Sequence, residues 1–172
     1  MIRNPSNKPG YIPAISLWEP WAILMALEEK RNETRGWGTA YRGPVIIHAS
    51  QQFTPEQREI CWDQPFREVF LATIFADVDW SLLGGLSAPA YDKMLRERMI
   101  CRALLCEVNI VDCRQTISKA AARHRYGEYE TAFGDYNPGR YAIVTEFVRR
   151  FEEPIEYSGQ QGWFSVPEEL VR

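Results

Sequence analysis

The chain has 172 residues, of which 45% are hydrophobic, and this size and composition suit one globular domain rather than a disordered protein. The formal net charge of −3 argues against a protein that coats nucleic acid through a large basic excess, so any nucleic-acid site must be local. The longest apolar runs are far shorter than the ~20 residues that span a bilayer, and the chain begins without a signal-peptide pattern. We therefore expect a cytoplasmic protein that does not bind membranes.

The cysteines and histidines lack the spacing of a metal site. No C-x-x-C pair occurs among Cys61, Cys101, Cys106 and Cys113, and the two histidines are His48 and His124. In a reducing compartment we expect the four cysteines to be free thiols. Because no P-loop, GxGxxG, HExxH, GxSxG or EF-hand pattern occurs either, the sequence predicts neither a metal nor a cofactor.

The first part of the chain alternates loop, strand and helix patterns. Residues 1–11 have the composition of a loose arm. The run Ile15–Trp18 predicts a short buried strand, and Pro20 suits the first turn of a helix over Trp21–Glu29. The β-prone run Val45–Ala49 then predicts a central strand.

The rest of the chain predicts helices followed by further strands. Residues 54–100 are rich in Phe, Trp and Leu and predict a mostly helical insertion that packs on a β-barrel. Further strands are expected at Ala103–Val111, Ala142–Phe151 and Gly162–Phe164. Together these patterns predict an α+β fold, a small β-barrel with flanking helices, in a single domain over residues 1–172.

The densest polar cluster beside apolar structure is Lys30, Glu33 and Arg35. In a strand, Glu33 and Arg35 share one face, whereas Lys30 shares the other with Asn32 and Thr34. In a cleft that excludes water the pKa of a lysine falls, which makes it a base or a nucleophile. Glu33 would orient the lysine or act as a general base, and Arg35 would hold a phosphate or carbonyl oxygen. On the residues alone, a solvated edge strand with alternating charges is the alternative.

Aromatic residues surround this cluster in the sequence. Trp18, Trp21 and Trp37 offer the faces that base stacking requires beside basic side chains, although tryptophan also packs in cores. His48 lies in the β-prone run and is either a structural group or part of the site.

Basic side chains elsewhere have two interpretations each. Arg42 and Arg140, both next to a glycine, would reach phosphates or lie on the surface. The basic segment 114–125 would contact a phosphate backbone or form a solvated helix face.

Several segments resemble the ASCH domain family, especially its phage and bacterial members. These segments are Ile15–Ala22, Glu28–Trp37, Tyr41–Ala49, Phe133–Ala142 and Gln161–Trp163. The family hallmark Gly-x-Lys-x-x-Glu-x-Arg falls on Lys30, Glu33 and Arg35, with Glu28 where the glycine stands. A glycine there gives the helix a left-handed exit, so Glu28 predicts a different helix end or a side chain near the cleft mouth.

The resemblance implies a PUA-like barrel with a cleft between the barrel and the first helix. It implies RNA, another single-stranded nucleic acid or a nucleotide as the ligand. The implied core of the site is Lys30, Glu33 and Arg35. The residues expected to bind the ligand around it are Trp18, Trp21, Trp37, Arg42, His48, Asp135, Tyr136 and Arg140.

Three hypotheses about function follow from these observations. The first is a binding module for RNA, single-stranded DNA or a modified nucleotide, in which Trp18 or Trp37 stacks on a base. The second is a metal-independent hydrolase of RNA or a nucleoside amide, with Lys30 as base or nucleophile and Glu33 as its partner. The family's amidohydrolases have a threonine at the position of Glu33. The third is a protein-interaction role through the aromatic stretch Phe66–Trp80. The oligomeric state stays open.

Overall fold

The computed structural model describes residues 1–6 and 8–172, and within them the chain folds into six strands and six α-helices. The strands are β1 (Tyr11–Leu17), β2 (Asn32–Arg35), β3 (Gly43–Ala49), β4 (Ala103–Gln115), β5 (Tyr141–Glu156) and β6 (Trp163–Pro167). The helices are α1 (Trp21–Ala26), α2 (Pro55–Ile60), α3 (Phe66–Ala72), α4 (Ala88–Arg98), α5 (Lys119–Tyr126) and α6 (Glu128–Ala132). The prediction of an α+β fold is therefore confirmed.

The strands form one sheet in the order β2-β5-β4-β3-β1-β6. Neighbouring strands are antiparallel, apart from β1 and β3, which run parallel. Irregularities interrupt the pairing of β4 with β5 at three places, and that of β3 with β4 between Ile47 and His48. Because a bulge bends its strand and increases the local twist, the sheet curls instead of staying flat.

The two ends of the sheet approach each other through side chains. Arg35 of β2 donates a hydrogen bond from Nη2 to the carbonyl oxygen of Ser16 in β1, over 2.7 Å. The ring of Trp37, just after β2, lies 5.9 Å from the ring of Trp163 in β6. Since β2 and β6 stand at opposite ends of the strand order, a flat sheet would keep these residues far apart. The sheet is thus a curled half-barrel.

One large apolar cluster joins the sheet to α1 and to the helices between β3 and β4. Ile23 and Leu24 of α1 pack there with Ile47 of β3, Phe70 of α3 and Leu95 of α4. The helices α2, α3 and α4 therefore cover the same side of the sheet core as α1. Across the described residues, no helix combines the length and the apolar surface that a bilayer crossing requires.

Helix α1 ends at Ala26, three residues before the predicted end at Glu29. The reason is Glu28, which has a φ of 64° in the left-handed region. The backbone N–H groups of Glu29 and Lys30 then turn back to the carbonyl oxygen of Leu24, at 3.0 and 3.2 Å. The prediction that Glu28 changes the helix end is wrong, because the glutamate takes the left-handed conformation that glycine favours at this position.

The N-terminal arm is also not the loose segment that its composition predicts. The backbone N–H of Arg3 donates to the carbonyl oxygen of Gly38 at 2.8 Å, and the side chain of Asn4 accepts from Thr39 Oγ1 at 3.0 Å. The indole N–H of Trp163 donates to the carbonyl oxygen of Arg3 at 3.2 Å. The arm thus satisfies backbone groups beside the junction of the sheet's two ends; Asn7 lies outside the described residues.

Candidate functional site

A cleft of about 1010 Å³ opens where β1, β2 and β3 meet α1 and the loops that follow β3, α6 and β5. Its size is typical of ligand sites in proteins. Seven of the predicted site residues line it: Trp18, Trp21, Glu33, Arg35, His48, Asp135 and Arg140. The other four predicted residues lie outside its lining: Lys30, Trp37, Arg42 and Tyr136.

The cleft is more basic than the chain as a whole. Its lining holds four cations, Arg35, Arg102, Lys119 and Arg140, and two carboxylates, Glu33 and Asp135. With His48 neutral, the lining therefore has a formal charge of +2, whereas the whole chain has −3. A local positive potential of this kind attracts anionic ligands to a protein that is otherwise acidic.

Glu33 and Arg35 project from β2 on the cleft side. Burial alternates along β2, since Asn32 and Thr34 are buried while Glu33 and Arg35 are half-buried, which confirms the predicted division of faces. Arg35 Nε lies 2.7 Å from Glu33 Oε1, at ion-pair distance but without hydrogen-bond alignment. The hydrogen bond to Ser16 fixes the other end of the guanidinium, so Arg35 is held in place before any ligand binds.

A second arginine–carboxylate pair stands beside the first. Arg140 Nε lies 3.2 Å from Asp135 Oδ2, and Arg140 Nη2 donates to the carbonyl oxygen of Thr34 at 2.9 Å. The backbone N–H of Asp135 donates to Thr34 Oγ1 at 3.2 Å. A Cβ on Gly134 would lie 2.8 Å from the ring of Tyr136 and 3.2 Å from Thr34 Cγ2, so the glycine lets this loop pack closely against β2. Both arginines thus take their positions from β2.

The tryptophans divide into two groups. Trp18 lines the cleft with 57% of its surface exposed, and Trp21 lines it while partly buried. Trp37 packs instead against Trp163, and the guanidinium carbon of Arg35 lies 5.9 Å from its ring centroid. Trp18 is therefore the tryptophan whose face is free to stack on a ligand.

Lys30 lies beneath the cleft and not in its lining. The side chain is buried, and Nζ donates to the carbonyl oxygen of Asn32 and lies 4.0 Å from Glu130 Oε1. Burial lowers the pKa of Lys30 because desolvation disfavours the ammonium form, and the carboxylates of Glu33 and Glu130 offset this in part. Burial alternates through the segment before and in β2, since Lys30 and Asn32 are buried whereas Arg31 is exposed and Glu33 is half-buried.

Glu130 completes an interior network that sequence reasoning missed. Its carboxylate accepts the backbone N–H groups of Arg31 and Asn32 at 2.8 and 3.0 Å, and the hydroxyl of Tyr136 at 3.2 Å. Asn32 Nδ2 donates to the same hydroxyl at 3.2 Å, and burial raises the pKa of Tyr136. Tyr136, predicted to bind the ligand, therefore joins α6 to β2 inside the protein. No local sequence signal links Glu130 to a strand so far along the chain.

His48 forms hydrogen bonds that hold the segment after β5 against the cleft. Its Nε2 donates to the carbonyl oxygen of Tyr157 at 3.0 Å, and its Nδ1 lies 3.0 Å from Ser16 Oγ. Ser16 Oγ also lies 2.9 Å from the carbonyl oxygen of Gln160, so its single proton faces two acceptors. Burial lowers the pKa of His48, and the bond to Tyr157 offsets this in part, so the ring is neutral near pH 7. Loop 158–162, which lines the cleft, is thus tied to β1 and β3.

Arg42 lies on the surface outside the cleft. Its Nη1 donates to the carbonyl oxygen of Tyr41 at 2.8 Å, and its Nη2 lies 3.4 Å from Asp112 Oδ1.

Sequence reasoning missed Arg102 and the glutamines Gln51 and Gln160 in the lining. The composition of the segments that hold these residues predicts loops, but it does not predict which loop residues line a cleft.

The thiols and carboxylates do not assemble into a metal site. In residues 1–6 and 8–172, no group of three or more His, Cys, Asp and Glu side chains is placed to hold a metal ion. The four cysteines are free, and burial raises the pKa of Cys106 to about 12 and that of Cys101 to about 11. These thiols are therefore protonated near pH 7 and suit packing better than metal binding.

A comparison with known protein families finds no family that matches the chain, and a comparison with curated proteins finds no match either.

Proposed function

We propose that the chain binds RNA, another single-stranded nucleic acid or a nucleotide in the cleft that β2 lines with Glu33 and Arg35. The observation that carries the proposal is the exposed indole of Trp18 beside a lining of formal charge +2, in a chain of net charge −3. An indole face stacks on any base, and guanidinium groups bind phosphate through paired donors. These are the two interactions that a flexible, anionic strand of bases requires.

The arrangement of the arginines supports the binding of phosphate. Arg35 and Arg140 each donate to a backbone carbonyl oxygen and lie beside a carboxylate, so their guanidinium groups are already ordered. A preorganised side chain loses less conformational freedom when a ligand binds. The glutamines Gln51 and Gln160 of the lining offer amide donors and acceptors for the edge of a base.

We further propose that the fold is PUA-like and that the chain is an ASCH protein. The left-handed backbone of Glu28 supports this, because the family hallmark has a glycine at that position and glycine favours that conformation. The half-barrel and the cleft beside α1 are consistent with the same proposal.

The two other hypotheses have less support. Hydrolysis through Lys30 requires its Nζ at the ligand, whereas Lys30 is buried outside the cleft lining. The aromatic stretch Phe66–Trp80 is not an exposed patch, because Phe66, Phe70 and Phe75 are buried and Trp80 packs on the same core.

Fluorescence anisotropy with labelled oligouridylate and oligothymidylate tests the proposal. We expect saturable binding, and a loss of about fivefold or more in affinity for Trp18→Ala, since stacking on one aromatic side chain contributes about 1–3 kcal/mol. Trp18→Phe keeps an aromatic face and should retain most of the affinity. Leu82→Ala removes an exposed side chain (82%) from the region between α3 and α4 and should change nothing. No saturable binding of either oligonucleotide, or equal affinities for Trp18→Ala and the unaltered protein, would refute the proposed binding of nucleic acid through Trp18.

A further inference from the structure

A second groove, of about 700 Å³, lies beside α5. Its lining includes Arg114, Ile117, His124, Arg125 and Tyr126. We infer that this groove binds the continuation of the single strand whose first bases occupy the cleft. The inference rests on the proposed function and defines the ligand class: an oligonucleotide chain, and not a lone nucleotide.

The groove and the cleft are neighbours at the start of α5. Lys119, the first residue of α5, lines the cleft, whereas Ile117 before it and Ala121 after it line the groove. The backbone N–H of Thr116, in the groove, donates at 2.7 Å to the carbonyl oxygen of Arg140, in the cleft. A strand that leaves the cleft at Arg140 therefore meets the groove without crossing another element.

The charge of α5 suits a polyanion. The helix holds Lys119, Arg123 and Arg125 and no acidic residue. In the described part of the chain, none of these three lies within 4.0 Å of a carboxylate oxygen, whereas Arg114 is paired with Asp112. Of these three, Lys119 lines the cleft and Arg125 lines the groove, so each site has one basic side chain of α5 that lacks an acidic partner. Such side chains are available to bind the phosphate backbone.

The groove also offers surface for bases. Ile117 is 81% exposed, and the partly buried Tyr126 lies beside it in the lining. Burial raises the pKa of Tyr126, and the positive charges of Arg125 and Arg114 nearby offset this in part. Apolar and aromatic contacts beside the unpaired Arg125 favour a nucleic-acid strand over an acidic peptide, which has no bases to cover such a surface.

The test compares a trinucleotide with a dodecanucleotide, each as labelled RNA and as labelled DNA, by fluorescence anisotropy over a range of salt concentrations. We expect the dodecanucleotide to bind about tenfold tighter or more, because it reaches the second group of cations. Arg125→Gln should weaken dodecanucleotide binding about three- to tenfold and lower the salt slope by about 0.7 for the lost phosphate contact, while trinucleotide binding is unchanged. Arg150→Gln is the matched control, since Arg150 is exposed on β5 and lines neither site.

Each outcome decides the inference. Equal affinities for the two lengths, or the same effect of Arg125→Gln and Arg150→Gln, would overturn it and leave the proposed function intact. A decaglutamate peptide that displaces the dodecanucleotide from the unaltered protein but not from Arg125→Gln would assign the groove to acidic peptides and overturn it too. If no oligonucleotide of any length binds, the inference is wrong, and so is the proposed binding of nucleic acid.

Discussion

Glu28 has a backbone conformation that is unfavourable for any residue with a Cβ atom. Its φ of 64° forms the exit of α1, and the left-handed region costs an L-residue about 1–2 kcal/mol relative to the right-handed one. We expect Glu28→Gly to raise the free energy of unfolding by about 1 kcal/mol, measured by urea denaturation.

Glu28→Ala is the control for this substitution. It removes the same carboxylate but keeps the Cβ, so it should bring little or no gain in stability. Equal stabilisation by Ala and by Gly would show that the carboxylate, and not the backbone, disfavours the fold at this position.

At the scale of single residues, the sequence predicted the face on which a side chain lies better than it predicted the residues that the side chain contacts. The two-residue period of a strand placed Glu33 and Arg35 on one face and Lys30 on the other, as the structure shows. The interior partner of Lys30 could not be predicted, because Glu130 comes from α6 and only the fold brings it to β2. Lys30 was nevertheless predicted to belong to the core of the site, whereas the structure buries it outside the cleft lining.

The loop 158–162 depends on close contact with two strands. A Cβ on Gly159 would collide with the ring of His48 and would lie 2.7 Å from Ser16 Oγ. We expect Gly159→Ala to displace the loop and break its bonds to β1 and β3, with a loss of about 1–3 kcal/mol in stability, as for overpacked sites. Urea denaturation measures the loss, and anisotropy titration should show weaker oligonucleotide binding because the loop lines the cleft.

Gly36→Ala provides the comparison for the loop substitution. Among the described residues other than its two chain neighbours, no heavy atom lies within 4 Å of a Cβ added at Gly36, so this change should have little effect on stability. If both variants unfold at the same urea concentration, the contact of Gly159 with His48 is not what holds the loop.

At the scale of elements, strands and helix starts were easier to predict than helix ends. The run Val45–Ala49 predicted a central strand, and all five of its residues are buried in β3. The end of α1 was missed, because a left-handed glutamate is an unusual stop signal and the apolar pattern continues to Leu27. Such an end is set by packing of the following segment and not by local propensity.

The whole molecule should lose stability as the pH rises towards 8. Glu19 is fully buried, its Oε2 accepts the N–H of Ile23 at 3.0 Å, and its Oε1 has no partner in the described residues. Desolvation raises the pKa of Glu19 from 4.5 to about 8. The folded protein therefore keeps a proton that the unfolded chain releases, so stability is full below the unfolded pKa and falls as pH rises through the folded one.

Urea denaturation between about pH 5 and about pH 8 measures this dependence, with a slope of about −1 kcal/mol per pH unit expected from one such group. Glu19→Gln is neutral at every pH and should flatten the profile. Glu146→Gln changes an exposed carboxylate and should leave it unaltered. Parallel profiles for all three proteins would mean that Glu19 is ionised in the folded state.

At the scale of the whole molecule, the sequence predicted the fold class but not how the sheet closes. Closure depends on pairs such as Arg35 with Ser16 and Trp37 with Trp163, which are separated along the chain and share no local pattern. The order of the N-terminal arm was missed for the same reason. Its hydrogen bonds to Gly38 and Thr39 join residues that are separated along the chain, and the composition of the arm does not predict them.

The junction between β2 and the β1–β6 end of the sheet consists of side chains instead of a backbone ladder. Within the described residues, no ladder hydrogen bonds cross this seam, which Arg35 closes through the carbonyl oxygen of Ser16. Arg35 belongs both to the seam and to the cleft lining. A contact that closes the sheet is therefore also part of the candidate site, and under the proposed function a phosphate bound to Arg35 would share its guanidinium with Ser16.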